Sequence, residues 1–255
     1  MQQLYAPVLQ LEHLTKEIIE LTFRSSYLAE TIRPGQFLNI RVDNNFPLLR
    51  RPFSVYNVQR DTISIAFNIV GLGSSILAKK HIGDSLDIIG PCGNSFDQFI
   101  DGDYDTAILI AGGIGVAPFP LLTASLLSKK NIVTFLGGRT KELLVPNHLS
   151  NVKFATDDGS EGMKGTVLDL LKKDLAENNY GKIRFFSCGP SRMMKAVGDF
   201  AKELGVLCYA SVETSMACGI GICQGCNIET TTGDRKYKLV CCEGTIFETQ
   251  TIKLT

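Results

Sequence analysis

The most constraining feature of this sequence is a run of cysteines near its C-terminal end with the spacing C-x4-C-x2-C. A further cysteine follows fifteen residues after the run, and the set is Cys218, Cys223, Cys226 and Cys241. Glycines interleaved with the run allow the backbone to curl so that neighbouring thiols converge. This spacing is typical of the thiolates that hold the two irons of a plant-type [2Fe-2S] cluster. Residues 213–255 are therefore predicted to form a small loop-rich segment ordered around a cluster.

Two alternatives remain open for this ligand set. A structural zinc site also uses four cysteines, although zinc sites usually pair them in two separate C-x2-C knuckles. In addition, Cys242 directly follows Cys241, so the spacing by itself does not decide which of the two is the fourth ligand.

The charge balance and the N-terminal sequence narrow the class of protein. Lys plus Arg and Asp plus Glu number 26 each, so the chain lacks the basic excess of nucleic-acid-binding proteins. No stretch reaches about 18 consecutive apolar residues, and residues 1–20 lack the basic start and apolar core of a signal peptide. We therefore expect a cytoplasmic protein without a membrane span, whose cysteines stay reduced and available to metal.

Short strand-like runs fill residues 1–100. They include EIIELTF, QFLNIRV, SVYNV and SIAFNIV, separated by turn signals such as Arg33-Pro34-Gly35. This spacing predicts a small antiparallel β-barrel or sandwich. An Asp- and Gly-rich linker at residues 101–105 then indicates a domain boundary near residue 100.

In residues 101–212, strands and helices alternate. The strand-like TAILIA, NIVTFLG, VKFAT and IRFFSC are interleaved with the helical APFPLLTASLLSKK, TVLDLLKKDLAE and SRMMKAVGDFAKELG. Such alternation predicts parallel βαβ units in a doubly wound α/β sheet. The whole chain is thus predicted to be a multidomain α+β protein with a barrel, an α/β domain and a C-terminal metal-binding segment.

A glycine-rich turn follows the first strand of this α/β region. Gly113 and Gly115 belong to a G-x-G-x-x-P pattern that ends at Pro118, in the first turn of a predicted helix. Glycines at such a turn let a phosphate approach the backbone, and a helix N-terminus favours its charge. Arg139 follows the second strand, where an acid would indicate NAD. The pattern therefore predicts a dinucleotide site but does not decide between NAD and NADP.

Two shorter patterns have a structural and a functional interpretation each. Arg51-Pro52-Phe53-Ser54 can grip a diphosphate and flank a flavin ring, whereas ordinary packing in a barrel strand explains the same residues. Cys188-Gly189-Pro190 ends a predicted parallel strand, at the edge where open α/β sheets bind ligands. A buried, inert thiol equally explains this cysteine. No Ser-His-Asp or paired-carboxylate pattern stands out, so no catalytic side chain is assigned.

Together, RPFS, AGGIGVAPF, SCGP and ETSMACGIGICQGC resemble the ferredoxin-NADP reductase superfamily over nearly the whole chain. The MACGIGIC-x2-C segment is most similar to the family of electron-transfer subunits of NAD-dependent dihydroorotate dehydrogenase B. The resemblance implies a FAD-binding barrel at 1–100, a NAD-binding α/β domain at 101–212 and a [2Fe-2S] segment at 213–255. It also implies that Cys241 is the fourth ligand, because the family pattern has this cysteine fifteen residues after the third.

The resemblance further implies a set of cofactor contacts and a partner. The FAD contacts would be Arg51, Pro52, Phe53, Ser54, Asn68, Ile69, Val70, Gly73, Ser74 and Ser75. The NAD contacts would be Gly113, Gly115, Pro118, Cys188, Gly189 and Pro190. In such an enzyme, electrons pass from the FMN of a catalytic partner that oxidises dihydroorotate, through the cluster and FAD, to NAD. The implied assembly is a heterotetramer of two catalytic and two electron-transfer subunits that serves pyrimidine biosynthesis.

Two other functions fit part of the same pattern. A reductase subunit of this superfamily that serves a ferredoxin, a hydrogenase or a sulfide-linked partner would share the flavin and nicotinamide motifs. A non-catalytic metal-binding protein with zinc in the cysteine loop would share only the cysteines, and it would be colourless.

Overall fold

The computed structural model describes residues 1–43, 45–233 and 235–254. Its strands are β1 Gln2–His13, β2 Ile18–Arg24, β3 Phe37–Arg41, β4 Arg51–Gln59, β5 Thr62–Asn68, β6 Ser85–Cys92, β7 Thr106–Gly112, β8 Asn131–Gly138, β9 Val152–Thr156, β10 Met163–Lys164, β11 Ile183–Cys188, β12 Cys208–Ser211, β13 Asn227–Glu229, β14 Tyr237–Leu239 and β15 Ile246–Glu248. Its α-helices are α1 Ser26–Thr31, α2 Leu72–Leu77, α3 Phe119–Leu126, α4 Val167–Glu177, α5 Ser191–Glu203 and α6 Val240–Glu243. In these ranges, no helix is both long and apolar enough to cross a membrane.

The first part of the chain forms a closed antiparallel barrel with the strand order β1-β2-β5-β4-β3-β6. Alternate residues of each strand turn inward, so Leu21 and Phe23 of β2 pack against Leu38 and Ile40 of β3 in one fully buried core. The alternation of apolar and polar residues dictates this arrangement, because successive strand residues point to opposite faces. The prediction of an antiparallel barrel is confirmed.

The second part is a seven-stranded sheet with the order β10-β9-β8-β7-β11-β12-β15. Its strands are parallel except β15, which pairs antiparallel with β12. Strands β7, β8 and β11 are nearly continuous apolar runs because helices cover both faces of the sheet. The predicted α/β architecture is confirmed, and α3, α4 and α5 lie within the three predicted helical stretches.

The strand order reverses between β7 and β11, which are neighbours in the centre of the sheet. Strand β8 follows β7 on one side, and β12 follows β11 on the other. The loops that leave β7 and β11 therefore run in opposite directions and open a crevice at the carboxyl edge. This is the point at which open α/β sheets bind ligands.

The C-terminal segment is interlocked with both earlier parts. It carries the hairpin β13–β14 and helix α6, and β15 then completes the edge of the large sheet. The side chain of Asn94, just beyond the barrel, donates to the Ile246 carbonyl (2.8 Å) and accepts from the Ile246 N–H (2.8 Å). Strand β15 was not predicted because three residues are too few to show a periodic pattern.

Candidate functional site

A cavity of about 960 Å³ lies between the barrel and the carboxyl edge of the sheet. The barrel contributes the turn between β1 and β2 and residues 68–70, at the end of β5. The sheet contributes the loops that follow β7, β8 and β11. The Thr15 hydroxyl of the barrel turn donates to the Glu142 carbonyl (2.6 Å), which ties the two walls together. A cavity of this size can hold a nucleotide cofactor.

The loops after β7 and β11 pack backbone against backbone. A methyl group on Gly115 would lie 2.5 Å from the Cys188 carbonyl oxygen, and one on Gly189 (φ +149°) would lie 2.9 Å from the Gly112 nitrogen. Gly113 (φ +55°) instead has open space beside it. Only glycine fits at positions 115 and 189, where the two loops touch. Because these glycines have no side chains, backbone atoms form this wall of the cavity. Such a wall can approach a diphosphate closely.

The predicted nicotinamide residues fall into two groups in the structure. Gly113, Gly115 and residues 188–190 line the cavity. Pro118 is buried at the N-cap of α3, behind a 3₁₀ turn formed by residues 113–116, and contributes no surface to the cavity. Burial, with a smaller effect from Glu213, raises the pKa of the Cys188 thiol, so this thiol stays protonated. Cys188 therefore contributes backbone and shape to the wall.

The predicted flavin residues are also divided between two places. Asn68, Ile69 and Val70 line the cavity, whereas Arg51 lies outside it, against Gly73. A methyl group on Gly73 would be 3.2 Å from the Arg51 Nε atom. The Ser74 hydroxyl connects the two places, because it accepts the Val70 N–H (3.0 Å).

Strand β4 carries the remaining flavin residues of the prediction. Pro52 and Ser54 pair with Asn39 and Phe37 of β3, and Phe53 packs against the Phe67 ring with centroids 5.5 Å apart. These residues are partly buried and lie outside the cavity lining. Ser75, in α2, is likewise partly buried.

The four predicted cysteine ligands meet as two pairs. The Cys223 N–H donates to the Cys218 sulfur (3.4 Å). The Cys241 N–H donates to the Cys226 sulfur (3.5 Å). The first pair is solvent-accessible, whereas Cys226 and Cys241 are each 2% exposed. The site therefore has one buried half and one half at the surface.

Cys218 and Cys241 differ in how readily they form thiolates. Burial opposes ionisation of Cys218, but the N–H groups of Cys223 and Ile220 outweigh it and lower the pKa of this thiol to about 7. Burial raises the pKa of Cys241, and the Cys226 and Cys242 thiols raise it further. Because metals bind the thiolate, Cys218 is the thiol of the two that is ready to accept a metal near neutral pH.

The donor set fits an iron-sulfur cluster. Four cysteines in two pairs supply the four thiolates that would hold a [2Fe-2S] cluster. Cys242 is exposed, and its sulfur is 3.5 Å from that of Cys241. The burial of Cys241 and its contact with Cys226 favour Cys241 as the fourth ligand.

Two residues near these sites were not among the predicted cofactor or metal contacts. Asn39 of β3 is fully buried and donates to the Cys218 carbonyl (2.9 Å). Glu213 follows β12 and lines the cavity, where the surrounding protein limits its hydration and raises its pKa. A polar residue within the apolar run FLNI was the available signal for Asn39. Glu213 offered none.

A model of the iron-sulfur cluster binding domain of dihydroorotate dehydrogenase B matches residues 213–253. The electron transfer subunit of dihydroorotate dehydrogenase B (NAD(+)) from Bacillus pumilus is 33% identical over 100% of both chains. The subunit of the same name from Enterococcus faecalis is 36% identical over 95% of both chains.

Solved structures show the same fold. A chain of the NADH-dependent reduced ferredoxin-NADP oxidoreductase superposes with a TM-score of 0.86 at 26% identity, over 98% of this chain and 90% of the other. A ferredoxin NADP+ reductase from Neisseria gonorrhoeae with bound FAD and NADP superposes with a TM-score of 0.70 at 19% identity, over 84% of this chain and 95% of the other. The barrel and the α/β sheet thus have the ferredoxin reductase-like fold. On its full-length similarity to the curated subunits, the chain belongs to the family of electron transfer subunits of dihydroorotate dehydrogenase B.

Proposed function

We propose that this protein is the electron transfer subunit of an NAD-dependent dihydroorotate dehydrogenase. The observation that carries the proposal is the arrangement of four cysteines in two contacting pairs, within a segment similar to the iron-sulfur domain of that enzyme. In this role the protein works in the cytoplasm, in pyrimidine biosynthesis. Its partner is an FMN-containing catalytic subunit that oxidises dihydroorotate, in an assembly of two catalytic and two electron-transfer subunits.

In this proposal the chain binds a [2Fe-2S] cluster, FAD and NAD. The separate binding places of these three groups account for the three parts of the chain. Together, a [2Fe-2S] cluster and FAD turn single electrons into the hydride that NAD accepts. Cys218 and Cys223 hold the exposed side of the cluster, and Cys226 and Cys241 hold its buried side. The exposed pair suits electron exchange with another protein, because a docked partner can reach it.

The flavin and the dinucleotide are held by the barrel and by the cavity, respectively. Arg51 binds the FAD diphosphate, and residues 68–75, together with Pro52, Phe53 and Ser54, shape the rest of the flavin site. Gly113, Gly115 and residues 188–190 orient the nicotinamide dinucleotide along the bare backbone wall. Pro118 acts indirectly in this arrangement, by starting α3 behind the wall.

The decisive experiment is to purify the tagged protein anaerobically from its own cells and to add dihydroorotate. We expect the flavin and cluster absorption to bleach, and the bleaching to require a co-purifying FMN protein. If NADH bleaches the spectrum and dihydroorotate never does, the dihydroorotate assignment is overturned, and a ferredoxin-, hydrogenase- or sulfide-linked partner replaces it. A colourless protein overturns the redox function altogether.

A pair of cysteine variants tests the division of labour inside the chain. Cys223→Ser should lose the cluster absorption and electron exchange with the partner, while FAD content and NADH oxidation by an artificial acceptor persist. Cys242→Ser is the matched control, because Cys242 is also exposed and lies next to the site but is not a proposed ligand. Equal loss of both activities in Cys223→Ser contradicts the separate roles of cluster and flavin.

A further inference from the structure

A buried asparagine connects the flavin barrel to the cysteine loop. Asn39 of β3 is fully buried, and its side-chain nitrogen donates to the Cys218 carbonyl oxygen (2.9 Å). Gly219 (φ +68°) packs so closely on this amide that a side chain there would overlap it. The first ligand of the cysteine run is thus fastened to a barrel strand through its own backbone.

The direction of the side chains on β3 shows what this contact does. Leu38 and Ile40 point into the barrel core, whereas Phe37 points outward and packs in the same buried cluster as Cys226 and Cys241. Asn39 shares the outer face with Phe37, because alternate strand residues point to one side. The outer face of β3 is therefore the surface on which both halves of the cysteine site rest.

The same face continues onto the strand that carries the proposed flavin residues. Asn39 lies directly opposite Pro52, and Phe37 lies opposite Ser54. Residues that are directly opposite in an antiparallel pair have their side chains on the same face. Asn39 consequently shares one face of the barrel with Pro52 and Ser54, two of the four predicted flavin residues of β4, while its amide contacts the Cys218 loop.

The side-chain amide of Asn39 includes a buried oxygen that lowers the stability of the fold, and packing alone does not explain why an amide is present there. Its Oδ1 atom is buried and has no hydrogen-bond partner among the described residues. Such an unsatisfied oxygen destabilises the fold, and an apolar side chain of similar size would avoid that penalty. What the amide provides and an apolar side chain does not is the hydrogen bond to the Cys218 carbonyl.

We propose that Asn39 is a positioning residue that fixes the Cys218 loop, and with it the cluster, at a set place beside the flavin strand β4. The inference rests on the proposed function, since it presupposes a cluster on the four cysteines. Asn39 touches the backbone of a ligand residue rather than the ligand sulfur. It therefore acts through the geometry of the loop.

The test uses the cluster-loaded protein and its Asn39→Ala variant. Loss of the hydrogen bond should speed release of iron to a chelator by about two- to tenfold. It should also change the electron paramagnetic resonance spectrum of the reduced cluster and slow electron transfer from NADH-reduced flavin to the cluster. Reduction of the flavin itself by NADH should stay unchanged, whereas a general loss of structure would slow both steps.

Two further variants make the result specific. Asn57→Ala is the matched control, because Asn57 lies in β4 of the same barrel but contacts His148 (3.4 Å) instead of the cysteine loop. Asn39→Asp keeps the shape of the side chain but turns an acceptor-only carboxylate toward the Cys218 carbonyl. A folded Asp variant with accelerated iron release supports the proposal even if the Ala variant does not fold.

The outcomes separate this inference from the proposed function. If the wild-type protein holds a [2Fe-2S] cluster and both Asn39 variants match its iron release and its resonance spectrum, the positioning role alone is overturned. If the wild-type protein holds no such cluster, the proposed function and this inference are both overturned.

Discussion

At the scale of single residues, local hydration and nearby N–H donors decide which groups carry charge. Cys218 is half-buried, yet two backbone donors favour its thiolate. The Glu213 side chain is exposed to the cavity, but the surrounding protein limits its hydration and raises its pKa. The pKa of Cys218, in the cysteine site, and the pKa of Glu213, in the cavity, therefore shift in opposite directions.

The raised pKa of Glu213 predicts a stability effect with a definite sign. Above the raised pKa the folded protein holds a poorly hydrated carboxylate, whereas below about pH 4.3 the group is neutral in both the folded and unfolded states. Glu213→Gln should therefore raise the thermal unfolding midpoint at pH 7, and the gain should vanish as the pH falls to about 4. Thermal melts of both proteins across this pH range measure the difference.

Glu229→Gln serves as the opposite control for this effect. The Lys253 side chain lowers the pKa of Glu229, so its carboxylate is favoured by folding and the amide should give no gain at pH 7. A Glu213→Gln gain that stays constant between pH 4 and pH 7 would show that the charge is not its cause.

Arg51 provides a second prediction at this scale, on cofactor retention. Its guanidinium donates to the Leu49 carbonyl (2.8 Å), which holds it beside Gly73. Loss of a charge-assisted phosphate contact should weaken FAD binding by about 10- to 100-fold in Arg51→Ala. Flavin content after gel filtration measures this, with Arg24→Ala as control, because Arg24 makes an exposed ion pair with Asp61. Wild-type flavin content in Arg51→Ala would rule out the contact.

At the scale of elements, sequence patterns predicted the longer strands and helices. The runs TAILIA and IRFFSC form β7 and β11, since both are mostly apolar and glycine turns follow them. The crevice between their ends could be expected from that alternation of strands and helices alone. The pairing of β15 with β12 could not, because it depends on a long-range contact of three residues. Asn39 and Glu213 were not predicted as site residues for a similar reason, because a single polar residue shows no periodic pattern.

Helix α4 provides a prediction at the element scale. Thr166 caps its N-terminus by accepting the Asp169 N–H (3.2 Å), and the Asp169 carboxylate accepts the Thr166 N–H in return (3.1 Å). Thr166→Ala should lower the free energy of unfolding by about 0.5–2 kcal/mol, as measured by urea denaturation. The exposed Lys173→Ala in the same helix is the control.

The cap also predicts a pH dependence for this loss. The hydroxyl and N–H of Thr166 lower the pKa of Asp169, so the stability that this pairing contributes is present above the usual Asp pKa and is lost as the pH falls. The difference between Thr166→Ala and wild type should therefore shrink in acid. A loss that grows below pH 4 would contradict the reciprocal cap.

At the scale of the whole molecule, the C-terminal segment packs against both the barrel and the large sheet. The C-terminal segment adds β15 to the sheet and buries Ile246 (1% exposed) and Phe247 (4% exposed). Burial of these two side chains contributes about 3–6 kcal/mol, a large share of the roughly 5–15 kcal/mol by which a typical protein is stable. The segment that is proposed to begin at residue 213 therefore packs against the sheet through β15.

This packing predicts different results for two ways of removing the cluster. A chain that ends at Val212 should aggregate or melt at a much lower temperature, because β12 loses its partner and Val212 its cover. A variant with serine at all four proposed ligand positions keeps β15 and should retain most of the unfolding midpoint. Circular dichroism melts of both proteins test this. A truncated chain as stable as the serine variant would show that β15 contributes nothing.

The place of β15 in the chain has a consequence for synthesis on the ribosome. The residues that close the sheet, Ile246–Glu248, are translated after the last of the four proposed cluster ligands, Cys241. Until they emerge, the nascent polypeptide presents the bare edge of β12, the kind of edge that invites aberrant pairing with other chains. Sheet closure therefore comes late, and by then every ligand thiol has already been made. The strand that completes the sheet can therefore pair only after all four proposed ligand residues have been synthesised.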